Sequence, residues 1–76
     1  MKKYNGHRSW NAWNVALWLF NDEGLYGIVQ RNQAERPHDP RAAAQGVLRE
    51  LHADGIRRTP DGAVFNLLCI RLAIDE

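Results

Sequence analysis

IRRTPDGAVFNLLCIRLAI, residues 56–74, decides between two folds. Pro60-Asp61-Gly62 stands between apolar residues, and that tripeptide favours a tight turn, so residues 56–70 read as a β-hairpin. The same letters also open a helix: Thr59 is a capping residue, Pro60 fits a first helical position, and Asp61 suits the positive end of the helix dipole. The nearly continuous apolar run from Val64 to Ile74 fits a buried strand or a buried helix equally well. Its eleven residues are long for a strand, and a lone two-stranded ribbon adds little stability beside helices. The expectation is a helix over 60–75 and an all-α fold, a compact bundle of four short helices. Three helices plus a C-terminal β-hairpin at 56–70 is the alternative.

Outward from this segment the signals are clearer. RAAAQGVLRELHADG, residues 41–55, puts Ala44, Val47, Leu48 and Leu51 on one face and ends at Gly55, a natural left-handed terminator. Before it, Pro37 stops a helix, and Asp39-Pro40 supplies a cap followed by a first-turn proline. That earlier helix starts at Asn21 or Asp22 and turns Leu25, Ile28 and Val29 to the core. Gly24 and Gly27 each weaken it by about 1 kcal/mol relative to alanine, unless they admit a close backbone neighbour. Ser9 caps the first helix, residues 10–20, where Trp10, Trp13, Leu17 and Phe20 recur at three- and four-residue intervals. This stripe is expected to face the core, because burying an indole contributes up to ~5 kcal/mol, as much as a chain this small retains in total. On the same helical wheel Asn11, Asn14 and Asn21 share a sector with Trp18.

The 76 residues form one domain, 1–76, with 45% hydrophobic and 25% charged residues and a net charge of +1. That balance excludes a disordered chain, an acidic DNA mimic and a strongly basic nucleic-acid binder. Cys69 is the single cysteine, which fits a small buried apolar residue in a reducing compartment better than a reactive thiol. MKKYNGHR lacks the apolar core of a secretion signal, and no run reaches the ~18–20 residues of a membrane span. The expectation is a cytoplasmic protein without membrane attachment.

Chemistry-bearing motifs are lacking. His7, His38 and His52 are scattered, Ser9 has no nucleophile-elbow context, and there is no glycine-rich phosphate loop. The sequence therefore points to binding without catalysis, metal or cofactor. Trp18 has the character of an interface anchor, with Asn11, Asn14 and Asn21 as its polar rim; the other reading packs this indole under the N-terminal arm. Arg31, Arg36 and Arg41 around ERPHDP, and Arg57-Arg58 after the third helix, offer phosphate or acidic-surface contacts for a small nucleic-acid-binding regulator. A homodimer sharing the tryptophan helix is a third reading.

Asn5-Gly6, Trp13-Asn14-Val15, Leu17-Trp18-Leu19 and Asn21-Asp22-Glu23-Gly24-Leu25-Tyr26 resemble the opening of small bacteriophage and mobile-element proteins, which read NGW, a short polar segment, TWxVxLW and NDEGxY. The likeness covers about the first third of the chain, with His7 at an aromatic position and Ala12 at a threonine position. It implies an antagonist of host machinery, an anti-CRISPR protein first among such chains. Such a protein blocks a bacterial protein or ribonucleoprotein defence complex by stoichiometric binding in the host cytoplasm.

Overall fold

The structure, a computed structural model, describes residues 9–75; Asn5-Gly6 and His7 lie outside the described residues. Four helices follow in order, α1 (Trp10–Asn21), α2 (Glu23–Glu35), α3 (Pro40–Ala53) and α4 (Leu67–Ile74). They close a ring in which α1 packs on α2, α2 on α3, α3 on α4, and α4 returns to α1. Val15 and Leu19 of α1, Val29 of α2, Val47 and Leu51 of α3 and Ile70 of α4 meet at its centre, fully buried.

Local chemistry sets the helix starts. Ser9 accepts the amide of Ala12 at 3.2 Å, Asp39 accepts that of Ala42 at 3.0 Å, and Pro40 follows as the first helical residue. Asp22 alone makes the corner between α1 and α2. Its backbone is extended, its N–H donates to the Trp18 carbonyl at 3.1 Å, and its Oδ1 accepts from Leu25 at 3.1 Å. One residue thus ends one helix and caps the next. Gly55 terminates α3 at φ 76°, in the left-handed region where a side chain is strained.

The segment that decides the fold divides. Helix runs only over Leu67–Ile74, not over 60–75, and its cap is Asn66, which accepts the Cys69 amide at 2.8 Å. Before it, turn chemistry prevails: Gly62 donates to the Thr59 carbonyl at 2.9 Å with φ 98°, and Thr59 donates to Ala63 at 2.8 Å. This is the bonding of a three-residue hairpin loop. The ribbon extends no further than one antiparallel bridge, Arg58 with Val64, so the all-α description stands. Thr59 is no helix cap because its hydroxyl is engaged inside the protein, as described below.

Helix α1 is rotated away from the orientation its periodicity predicts. Its buried residues are Ala12, Asn14, Val15, Ala16 and Leu19. Trp10, Leu17 and Phe20, expected in the core, are 39%, 37% and 40% exposed, and Trp13 is half-buried. The helix is apolar on two faces, and periodicity alone does not choose between them. The smaller face lets the neighbouring helices approach closely while the amide sector stays in reach of the 58–64 turn.

A third departure concerns glycine. Gly27 has open space where a Cβ would stand, and Gly24 meets only the Asp22 carboxylate at 3.3 Å. The close approach is at Gly46 on α3, where a Cβ would fall 2.0 Å from Asn32 Oδ1. Asn32 is buried and cannot swing away freely: its Nδ2 donates to the Ile28 carbonyl at 2.8 Å and to Glu50 Oε2 at 2.6 Å. Gly46→Ala is therefore expected to cost about 1–3 kcal/mol. Gly27→Ala should stabilise by about 0.4–1 kcal/mol. Urea unfolding of the two variants checks this opposition, and Asn32→Ala should remove most of the Gly46→Ala penalty.

Candidate binding surfaces of helix α1

Viewed down its axis, α1 has three faces. The small apolar residues face the core, and the amides with Trp18 face the 58–64 turn. Trp10, Trp13, Leu17 and Phe20 run along the third.

On the second face the asparagines work as internal connectors. Asn11 accepts the Val64 amide at 2.7 Å through Oδ1, donates to the Val64 carbonyl at 2.9 Å through Nδ2, and also reaches Cys69 Sγ at 3.2 Å. It pairs with Val64 as a neighbouring strand would. Asn14, only 1% exposed, accepts the Thr59 hydroxyl at 2.6 Å and donates to Asp61 Oδ2 at 2.9 Å. Thr59 Oγ1 in turn accepts the Ala63 amide at 3.0 Å. The Trp18 indole N–H donates to the same Asp61 oxygen at 2.9 Å. No buried side-chain polar atom among the described residues lacks a partner, as the cost of unmet buried groups requires.

The proposed polar rim of Trp18 is corrected accordingly. Asn14 is inside and out of reach of a partner, because a buried amide needs bonds that only the turn supplies. Asn11 is committed to Val64, and Asn21 is exposed with its Nδ2 on the Leu17 carbonyl at 2.7 Å. Trp18 is half-buried and lines a cleft of about 580 Å³ between the α1–α2 corner and residues 54–65. What sequence reasoning missed is the exposed third face. There Phe20 meets the exposed Tyr26 edge-on, ring centroids 5.7 Å apart at 60°, a favoured aromatic geometry.

The arginines do not gather into one surface. Arg36 and Arg41 are exposed on either side of the α2–α3 connection, whereas Arg57 and Arg58 follow the other end of α3. Arg41 stands in the first turn of the 14-residue α3 and Arg57-Arg58 beyond its last, roughly 20 Å apart at 1.5 Å per residue. Arg31 pairs with Glu50 across α2 and α3, and Arg58 Nη1 donates to the Gly62 carbonyl at 2.9 Å. Among the described residues no three His, Cys, Asp or Glu side chains gather as metal ligands, and no helix is long and apolar enough to cross a membrane.

The whole chain, residues 1–76, matches a family of unknown function, DUF7249, and belongs to it. No curated protein and no solved structure is significantly similar to it.

Hydrogen bonds from Asn14 and then from Trp18 hold the Asp61 carboxyl below the ordinary aspartate value of 3.8. The unfolded chain therefore binds the proton at higher pH than the folded one. The stability this supplies is complete above pH 3.8 and is lost as pH falls through the folded-state value. Asp61→Asn should flatten that acid limb, and the indole N–H resonance of Trp18 should move with the same titration in the wild type. Asn14→Ala is expected to cost about 1–3 kcal/mol by orphaning Thr59 and loosening the turn, measured by urea unfolding at neutral pH.

Proposed function

We propose that this member of DUF7249 acts without catalysis, as a stoichiometric binder of a partner protein, and that it engages the partner through the aromatic face of α1. The observation carrying this reading is the orientation of α1, which buries Ala12, Val15, Ala16 and Leu19 and leaves the larger Trp10 and Phe20, with Leu17, more than a third exposed, next to exposed Tyr26. Large aromatic side chains left at the surface on one helix face are the composition of a binding hot spot. Among the described residues Trp10, Trp13, Leu17, Phe20 and Tyr26 along this face bring no charge, so it suits an apolar groove on the partner and a contact weakly sensitive to salt.

The likeness of the N-terminal third to bacteriophage proteins takes the proposal further. The partner class is a bacterial defence complex, with a CRISPR effector first among the candidates, blocked sterically in the host cytoplasm. The separation of the arginine groups by the length of α3 favours a protein surface over a nucleic acid as the first contact.

Trp10→Ser with Phe20→Ser should reduce partner capture from a bacterial lysate at least about 30-fold, the worth of one hot spot; both side chains are partly covered, so retention of the helical fold is checked by circular dichroism. Capture by the wild type should survive nuclease and 0.5 M salt. Loss of every partner on nuclease treatment would instead assign the protein to nucleic acid through the arginines. A dimer mass in light scattering that the double variant abolishes would assign the face to a second copy.

A further inference from the structure

The cleft beside Trp18 lies on a different side of α1 from the aromatic face, and it has a chemistry of its own. Its volume of about 580 Å³ falls inside the ~300–1,000 Å³ typical of small-molecule sites and exceeds what a single side chain fills. Trp18, Leu25, Ile56 and Phe65 give it apolar walls, and Asp22 and Asp54 place two carboxylates against one guanidinium, Arg58. That guanidinium already has Nη1 on the Gly62 carbonyl. The Asp61 carboxylate accepts the Trp18 N–H, which holds the indole in place as one wall. We infer that the cleft is a binding site for a small organic cation with a flat apolar body, the body lying against Trp18 and Ile56 and the charged end meeting Asp22 and Asp54. A free small molecule, not a partner's basic side chain, is the occupant that the volume fits.

The site is independent of the aromatic face, and its test leaves that face untouched. The full-length ¹⁵N-labelled protein is titrated with benzamidine, with neutral benzamide and with benzoate, and the Trp18 indole and the Ile56 amide are followed by NMR. Benzamidine should shift both resonances saturably and bind about tenfold more tightly than benzamide, the worth of one charge-assisted contact. Benzoate should bind more weakly still. Asp54→Asn should weaken benzamidine several-fold; its side chain is exposed and the backbone N–H that ends α3 is retained. Arg58→Gln should tighten it by removing the opposing charge. Asp22→Asn keeps the cap of α2, since asparagine caps as well as aspartate, and should also weaken binding. Equal binding of benzoate, no saturable shift, or indifference to both aspartate variants would overturn the inference. Tighter binding of an acetylated Gly-Arg-Gly amide than of benzamidine would overturn it too, in favour of a partner's arginine.

Discussion

A carboxamide side chain carries the same donor and acceptor pair as a peptide group, and Asn11 uses both on the backbone of Val64. One turn along the same face, Asn14 holds the Thr59 hydroxyl and the Asp61 carboxylate. Two asparagines on a helix therefore do for the 58–64 turn what a partner strand would do in a sheet. The ribbon itself is too short to persist alone. Without these bonds the turn's backbone groups would need water, and Phe65 and Ala63, both buried, would lose the anchor that keeps them in the core.

The same bonds fix the rotation of α1. Once Asn11 and Asn14 face the turn, the helix must send Ala12, Val15, Ala16 and Leu19 inward and Trp10, Leu17 and Phe20 outward. Exposed aromatics are thus the geometric complement of buried amides. A chain of this size gives up a large share of the burial it might have had, and retaining such a face is understandable where binding needs it. Trp18 stands at the boundary between the two arrangements. Its N–H belongs to the internal network, while its ring lines the cleft.

Features governed by nearest neighbours in sequence were legible. The caps at Ser9, Asp22 and Asp39, the first-turn Pro40 and the terminating Gly55 all follow from side chains meeting backbone within a few residues. Three of the four helices followed from them, and the fourth from the length of the apolar run Val64–Ile74. What sequence did not reveal depended on distant partners. Thr59 has the letter of a helix cap, but a hydroxyl bonded to Asn14 45 positions away takes it out of that role. Asn66 was the true cap, signalled only by its place before eight residues of which Arg71 alone is charged. The burial of Asn14 and the exposure of Trp10 are one fact, the rotation of α1. An all-round apolar helix does not encode that rotation in its own period. Gly46 was silent for the same reason, its neighbour Asn32 lying on another helix.

The fold depends on the Asn11–Val64 pairing, and amide hydrogen exchange reads it directly. Val64 is exposed, yet its N–H is held by a side chain from the opposite end of the chain. In the wild type this amide should be strongly protected, and Asn11→Ala should abolish that protection while leaving the amides at the centre of α3 slow. Free exchange of the Val64 amide in the wild type, or protection unchanged in Asn11→Ala, would contradict the account.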